Sequence, residues 1–262
     1  MTSTTLLRSR TRRGAAYQEA GAGEPLVLIH GVGLRLEAWQ PQIAYFAATH
    51  RVIAVDMPGH GGSAPLEAGA ALPAFVKWLG DVLDDLALDA VNLAGHSMGA
   101  LIAGGAAAEF GARIRRVALL NGVYRRDPAA RAAVVARARE IAAGHRDVEG
   151  PLQRWFDDDA ADPATVGLVR LWLSSVDPAG YATAYGAFAE GDAVYADAWP
   201  RVACPALFLT GDGDPNSTPA MAEAMAALAP NGRAVIVEGH RHMVNLTAPE
   251  RVNAALADWL RS

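Results

Sequence analysis

The chain of 262 residues contains a single cysteine, Cys204, so no disulfide can form within it. No run approaches the roughly 18 uncharged apolar residues of a membrane span, and no apolar signal-peptide region follows Met1. The net charge of −5 and the pI of about 5.8 argue against binding to nucleic acid or to an anionic membrane. These absences predict a cytoplasmic protein in which Cys204 is a small core residue.

Four arginines near the start of the chain, Arg8, Arg10, Arg12 and Arg13, admit two interpretations. Transit peptides are rich in arginine, but the alternation of this segment runs directly into the core strands. That continuity favours a first hairpin with a solvated arginine face. The segment of about residues 5–20 therefore predicts two antiparallel edge strands.

Apolar side chains make up 52% of the chain, which is enough for one large core. Short, continuous apolar runs alternate with helical stretches, and such runs are typical of parallel strands covered on both faces. The pattern predicts the α/β class, with a mostly parallel central sheet and helices on both faces. The predicted strands are Leu26–His30, Arg51–Asp56, Ala90–Ala94, Arg116–Leu120, Pro205–Thr210 and Arg233–Val237, and the predicted helices cover about 36–48, 72–88, 98–110, 217–229 and 249–261.

The alternation stops between residues 124 and 200. This stretch has helical sequence and several prolines but no strand signal. We expect a helical cap inserted over one end of the sheet, within one structural domain whose core is residues 1–123 and 201–262. The aromatic side chains of the insertion are expected to line a small-molecule cleft and to set specificity. They include Trp155, Trp172, Tyr181, Tyr185 and Phe188.

The segment Val91–Leu101 carries the strongest functional signal. An apolar strand ends in Gly-His-Ser-Met-Gly, and an alanine-rich helical stretch follows. In this context G-x-S-x-G forms a nucleophile elbow, a sharp turn that exposes the serine hydroxyl. The turn strains the backbone of Ser97, and a Cβ at Gly95 or Gly99 would collide with the neighbouring strand or helix. Ser97 is the predicted nucleophile; the alternative is a glycine-rich turn with a solvated serine.

A second glycine-containing loop, His30–Gly33, follows the first predicted parallel strand. Its small residues allow backbone amides to approach a ligand, so the amides of Val32 and Met98 are predicted to bind a developing oxyanion. The alternative is an ordinary glycine turn. His30 itself is interpreted as a buried histidine that stabilises the loop.

Two carboxylates and two histidines compete for the remaining catalytic roles. Asp212 and Asp214 follow one predicted strand, and both could instead shape a turn or cap a helix. His240 and His242 follow the last strand. They could belong to a metal site, but no third or fourth ligand has suitable spacing. The residues alone leave both choices open.

Together these features resemble the α/β-hydrolase superfamily over essentially the whole chain, in which the triad order is Ser, Asp, His. Residues Asp56–Ser63 are similar to the superfamily's D-x-x-G-x-G-x-S loop. The resemblance implies Asp214 as the acid, because it follows the strand-end Gly211 by three positions. It implies His242 as the base, because His242 precedes Pro249-Glu250 by seven residues.

The type of nucleophile and the sequence of the oxyanion loop indicate which members of the superfamily this chain resembles. Dehalogenases and epoxide hydrolases of this fold carry aspartate where this chain has Ser97. The C–C bond hydrolases of meta-cleavage products usually have a Ser/Gly-Pro-rich oxyanion loop, from which residues His30–Leu34 depart. The His-Gly-x-Gly-Leu run and Trp39-Gln40-Pro41 are more similar to 3-oxoadipate enol-lactonases and small esterases.

That resemblance implies a serine hydrolase that needs neither a metal nor an organic cofactor and cleaves a small ester or lactone. Asp214 would orient His242, which would deprotonate Ser97 as it attacks the carbonyl. The alternatives are a C–C bond hydrolase, a cofactor-free oxygenase or haloperoxidase-like enzyme, and a non-catalytic ligand receptor on the same fold. We expect a monomer or small homo-oligomer whose partner is a small molecule, not nucleic acid or a membrane.

The substrate-binding residues are the least constrained prediction. Arg125 and Arg126 follow the strand that ends at Leu120, so one guanidinium could pair with a substrate carboxylate. Alternatively, both are solvated at the start of a helix near Asp127. The candidate substrate-binding residues are Trp39, Tyr124, Arg125, Trp155 and Trp172.

Overall fold

A computed structural model of the chain describes residues 7–156 and 161–262. In this part of the chain, eight strands form one sheet. Most of them are the continuous apolar runs of the sequence, with bounds that differ from the predicted ones by at most two residues. The strands are β1 (Ser9–Arg10), β2 (Ala16–Ala20), β3 (Glu24–Ile29), β4 (His50–Val55), β5 (Val91–His96), β6 (Ile114–Leu120), β7 (Ala206–Gly211) and β8 (Gly232–Val237).

The sheet has the order β1-β2-β4-β3-β5-β6-β7-β8. Strands β1 and β2 pair antiparallel with each other, and β2 pairs antiparallel with β4. All other neighbours are parallel. The predicted α/β class is confirmed. Parallel strands place their carboxyl ends at one edge of the sheet, where sites of open α/β sheets form.

Helices cover both faces of the sheet. The predicted helix over 36–48 is divided into a 3₁₀ turn, Leu36–Trp39, and a separate α-helix, because Pro41 lies in the first turn of that helix and lacks an amide hydrogen. The α-helices around the sheet, outside the segment between β6 and β7, are α1 (Gln40–Phe46), α2 (Leu72–Asp85), α3 (Met98–Glu109), α8 (Pro219–Leu228), α9 (Val244–Thr247) and α10 (Pro249–Leu260).

Two apolar layers hold these helices to the sheet. Side chains of α2 and α3 pack with Val27, Val117 and Phe208 on one face. Side chains of α1 and α10 pack with Leu26 and Leu207 on the other. Every residue of β5 is buried, as expected for a central strand covered on both faces. Each large apolar side chain buried in these layers stabilises the fold by about 1.5–3 kcal/mol.

Between β6 and β7 the described residues contain helices and no strand. Four of these helices, which we call the cap helices, are α4 (Pro128–Ala142), α5 (Glu149–Trp155), α6 (Pro163–Ser175) and α7 (Pro178–Gly191). Three of them begin at an Asp-Pro pair in which the aspartate accepts a hydrogen bond from a backbone amide of the first turn. We propose that the cap spans residues 124–200.

The start of the described chain corrects one expectation. The hairpin β1–β2 is present, but Arg8 is not solvated. Its Nε donates to Asp56 Oδ2 at 2.6 Å, and its Nη2 donates to Glu37 Oε2 at 2.6 Å.

Cys204 is only partly buried, and burial raises the pKa of its thiol. No helix in the described ranges has both the length and the apolarity to span a membrane.

Candidate active site

Ser97 occupies the turn between β5 and α3, with φ +56° and ψ −113°. Non-glycine residues in this region store about 1–3 kcal/mol of backbone strain. The flanking glycines are sterically required: a Cβ on Gly95 would lie 2.0 Å from the carbonyl oxygen of Gly99, and one on Gly99 would lie 2.2 Å from that of Ile29. The strand, the turn and the helix therefore have the geometry of a nucleophile elbow.

The loop His30–Gly33, which we call the oxyanion loop, passes directly beside this serine. A Cβ placed on Gly31 would lie 3.1 Å from Ser97 Cβ. Among the loop and turn hydrogen bonds of the described ranges, none has the backbone N–H of Val32 or of Met98 as its donor. The Met98 amide also opens α3, whose N-terminal end carries partial positive charge.

Two buried histidines fix the conformation of the oxyanion loop. His60 Nε2 accepts a hydrogen bond from the Gly33 amide at 2.9 Å, and His60 Nδ1 donates to the carbonyl of Pro58. His30 Nε2 accepts from the Met57 amide at 2.9 Å. Burial lowers the pKa of His30 to about 3, so its ring is a neutral structural tether. The sequence indicated this role for His30 and missed it for His60.

Asp214 and His242 form a buried pair at the ends of β7 and β8. His242 Nδ1 donates to Asp214 Oδ2 at 2.7 Å. Burial alone would raise the pKa of Asp214, but the hydrogen bonds from His242, the Asn121 side chain and the Asn216 amide lower it. Asp214 is therefore ionised and can hold the histidine in one orientation.

The competing residues make different contacts. His240 Nδ1 lies 3.0 Å from the hydroxyl of Thr247, and Asp212 Oδ1 accepts a hydrogen bond from the Gly239 amide at 2.8 Å. Both interactions shape the loop after β8. The structure therefore pairs Asp214 with His242 and gives Asp212 and His240 turn-forming contacts.

His96 connects the Asp214–His242 pair to the turn that carries Ser97. Its Nε2 donates to the backbone carbonyl of His242 at 2.8 Å, and the two rings lie 5.0 Å apart between centroids. Ser97 follows immediately, so it lies at the same edge of the sheet as His242. Within the described residues no hydrogen bond of 3.5 Å or less joins the Ser97 hydroxyl to His242. Such contacts are often long in unliganded enzymes and tighten when substrate binds.

Asn121 was not singled out from the sequence. Its side-chain amide donates to Asp214 Oδ2 at 2.8 Å and to Thr210 Oγ1 at 3.1 Å. Its φ of +50° is one that asparagine tolerates better than most residues. The Asn121-Gly122 pair directly after a buried strand is the signal that could have identified it.

The buried histidines predict a measurable loss of stability in acid. Burial lowers the pKa of His30 and of His96 to about 3, whereas both titrate near 6.5 in the unfolded chain. Below pH 6.5 the unfolded state thus binds more protons, and the free energy of unfolding falls by about 1.4 kcal/mol per pH unit for each histidine. Urea unfolding at pH 7.5 and 5.5 should therefore differ by about 3 kcal/mol for the pair.

A substitution separates this effect from general acid denaturation. His96→Asn should reduce the pH slope by about 1.4 kcal/mol per unit. His145→Asn, at an exposed position, should leave the slope unchanged. Equal slopes in His96→Asn and the wild type would show that His96 is not neutral in the folded protein.

The three predicted tryptophans lie in different places. Trp155 stacks on the His242 ring, with centroids 5.5 Å apart, and its carbonyl accepts from the His242 amide at 3.1 Å. Trp172 lines a surface groove of about 650 Å³ together with Leu34 and Arg35. Trp39 is fully buried in the core layer beneath α1 and α10. Its contact with a substrate stays a prediction.

Tyr124 and Arg125 contact other residues of the protein. Arg125 forms an ion pair with Asp197, and its guanidinium lies 5.6 Å from the centroid of the Tyr124 ring. Arg126 is buried, with Nη1 3.3 Å from Asp192 Oδ1. Arg126 is therefore not solvated, whereas Arg125 is exposed and its ion pair with Asp197 lies at the surface. Asp192 is shared between Arg126 and Arg131.

The sequence comparisons agree with this geometry. Residues 26–255 match the model of the Alpha/beta hydrolase family. The chain belongs to this family. The resemblance to the α/β-hydrolase superfamily is therefore confirmed.

One curated relative matches along its whole length. The (E)-2-((N-methylformamido)methylene)succinate hydrolase of Acinetobacter baylyi is 53% identical over 262 residues, which are 100% of this chain and 99% of that protein. The family match and this relative together support hydrolase activity.

Two solved structures share the fold over nearly the full chain. An esterase from Thermogutta terrifontis with malate bound superposes with a TM-score of 0.88 at 26% identity, covering 98% of each chain. The enol-lactonase from Burkholderia xenovorans gives a TM-score of 0.87 at 25% identity, covering 98% of this chain and 100% of that one.

Proposed function

We propose that this chain hydrolyses small unsaturated dicarboxylates that carry an N-acyl enamine, the class of compound named for the Acinetobacter relative. The observation that carries the proposal is the 53% identity along both full lengths. The buried Asp214–His242 pair beside a strained serine supports it, because that chemistry needs an activated nucleophile.

The sequence favoured an ester or lactone substrate and kept C–C bond hydrolysis as an alternative. The compound named for the relative contains no ester or lactone group. Ester and lactone cleavage is supported at the level of the fold, and the relative favours the alternative of C–C bond hydrolysis over it. The amide C–N bond proposed below was not among the bonds considered from the sequence.

We assign the chemical roles to the residues that the geometry brings together. Ser97 is the nucleophile, His242 the general base and acid, and Asp214 the group that orients His242. The amides of Val32 and Met98 stabilise the oxyanion. These roles need no cofactor.

In a compound of this class, the acyl carbon that a serine can attack is the N-formyl carbonyl. Ser97 Oγ bonds to that carbon while His242 accepts the hydroxyl proton. The tetrahedral oxyanion collapses, the C–N bond breaks, and His242 returns the proton to the departing enamine nitrogen. Water, deprotonated by His242, then cleaves the formyl-serine to formate and restores the free serine.

Product analysis tests the proposal. Purified protein should release formate from (E)-2-((N-methylformamido)methylene)succinate with a kcat/KM of about 10⁴ M⁻¹s⁻¹ or more, the ordinary range for an enzyme with its substrate. Formate can be followed by nuclear magnetic resonance alongside loss of the conjugated enamide absorbance. Products of C–C cleavage without formate would assign the chain to the meta-cleavage type, and no turnover would remove the proposal.

A second candidate is a small-ester hydrolase, supported by the esterase at 26% identity and a TM-score of 0.88. We expect slow turnover of p-nitrophenyl acetate, because an activated ester can react without binding contacts to the cap helices. A kcat/KM for neutral esters above that for the dicarboxylate would favour this candidate. The cytoplasmic setting and the monomer or small homo-oligomer stay predictions from the sequence.

A further inference from the structure

Two half-buried arginines of the cap helices, Arg137 and Arg154, form no ion pair within the described ranges. Arg137 on α4 donates from Nη1 to the hydroxyl of Tyr185 on α7 at 3.3 Å. Arg154 on α5 makes neither a hydrogen bond nor an ion pair with described residues, and both arginine side chains are half-buried. Arg125 and Arg126 differ in this respect, since each is paired with a carboxylate.

The ionisation of Arg154 is opposed by its surroundings. Burial and the charge of Arg137 lower the pKa of Arg154. The carboxylate of Asp147 lies near Arg154 Nη1 and opposes this effect, since its charge acts to raise the pKa of both arginines. In the described part of the chain it forms no ion pair with either arginine, and its Oδ1 accepts from the Gly150 amide at 2.8 Å. A bound anion stabilises two like charges in a half-buried place.

Two tyrosines connect Arg137 to the oxyanion loop. The Tyr181 ring reaches the oxyanion loop: its Cε2 would be 3.0 Å from a Cβ on Gly33. The Tyr181 and Tyr185 rings lie 5.8 Å apart between centroids. Tyr185 packs in the same apolar cluster as Val32 and Met98. The cluster of charges therefore lies on the cap side of the oxyanion loop.

The two tyrosines add hydrogen-bond donors to the pair of cations. Tyr185 accepts from Arg137, which leaves its own hydroxyl proton available to a third group. Burial raises the pKa of Tyr181, so its hydroxyl stays protonated and can donate. Two guanidinium groups and two hydroxyls together match the acceptors of a carboxylate.

We propose that Arg137 and Arg154, with the hydroxyls of Tyr181 and Tyr185, bind a carboxylate of the substrate while the scissile carbonyl lies at Ser97. This inference rests on the proposed function, and it specifies which side chains recognise the dicarboxylate. Small acids with a second carboxylate are then preferred over neutral substrates of the same size.

Charge-removing substitutions test the assignment. Arg137→Gln and Arg154→Gln keep side chains that can form hydrogen bonds but remove the charge. Each substitution should raise KM for (E)-2-((N-methylformamido)methylene)succinate and lower kcat/KM by about 10- to 100-fold, the range for a lost charged hydrogen bond. Turnover of p-nitrophenyl acetate should change by less than about threefold. Arg139→Gln, at an exposed position of α4, is the matched control and should alter neither reaction.

A binding measurement separates this inference from the proposed function. Methylenesuccinate has the same dicarboxylate skeleton without the acyl group, and it should inhibit p-nitrophenyl acetate hydrolysis competitively, whereas its dimethyl ester should not. Calorimetric titration of Ser97→Ala should likewise show binding of methylenesuccinate and no binding of its dimethyl ester. Binding that is lost in the double Gln variant supports the subsite even if the wild type releases no formate.

Two results would overturn the assignment. One is unchanged affinity for methylenesuccinate in the double Gln variant. The other is an equal loss of dicarboxylate and neutral-ester turnover in correctly folded variants, because a general structural role would affect both substrates alike.

Discussion

Replacing Ser97 with alanine is expected to lower kcat by about 10³-fold or more on any substrate that the wild type hydrolyses. The attacking oxygen is lost, while the oxyanion loop and the Asp214–His242 pair keep their positions. The backbone strain at φ +56° is retained, because alanine carries the same Cβ. Thermal stability should therefore change little, and the loss should be in kcat rather than in folding.

Steady-state kinetics and chemical labelling together check this result. A serine-directed organophosphonate should modify Ser97 and no other serine, as peptide mass spectrometry can establish. Ser174→Ala, at an exposed position of α6, serves as the matched control and should keep full activity and labelling. Near-wild-type turnover in Ser97→Ala would mean that the elbow is not the reaction centre.

The elbow could be predicted because it depends on local stereochemistry. A buried strand, a sharp turn and a helix follow one another within a dozen residues, and the glycines on either side of Ser97 are required by the close approach of the backbone. Adjacent positions in the sequence determine the result, so no distant contact can reverse it. For the same reason the strands of the parallel sheet could be predicted from their apolar runs.

The partners of the charged residues could not be read in this way. Arg8 contacts Asp56, which lies 48 residues away, and Arg126 contacts Asp192, 66 residues away. The sequence indicated that an arginine of the cap could meet a substrate carboxylate, but it selected Arg125 and Arg126 from their position after a strand. The packing of α4, α5 and α7 decides instead which half-buried arginines form no ion pair with a described carboxylate, and these include Arg137 and Arg154.

The choice between neighbouring candidates shows the same limit. Asp212 and Asp214 lie in one turn, and His240 and His242 in another, so the residues alone leave both choices open. Only the family spacing favoured Asp214 and His242. The structure adds the physical reason, since the side chains of this pair are buried and joined at 2.7 Å, whereas Asp212 bonds the Gly239 amide.

His242→Ala is expected to reduce kcat as severely as Ser97→Ala, because the members of a triad act as one unit. Asp214→Asn should reduce kcat by about 10⁴-fold, since an amide in place of the carboxylate favours the wrong histidine tautomer. Both carboxylate oxygens of Asp214 accept hydrogen bonds, Oδ2 from Asn121 and His242 and Oδ1 from the Asn216 amide. An amide nitrogen at either position would therefore face a donor, which strengthens this expectation. The measurement is kcat and KM for both variants on one substrate.

His240→Ala and Asp212→Asn are the matched controls, since each changes the same residue type two positions away. Both should retain activity within roughly tenfold, the range expected where a side chain only supports the loop. Their contacts with Thr247 and the Gly239 amide predict a moderate loss of stability instead. If His240→Ala abolished turnover while His242→Ala left it intact, the base would be His240, and the buried pair would be a structural element of the fold.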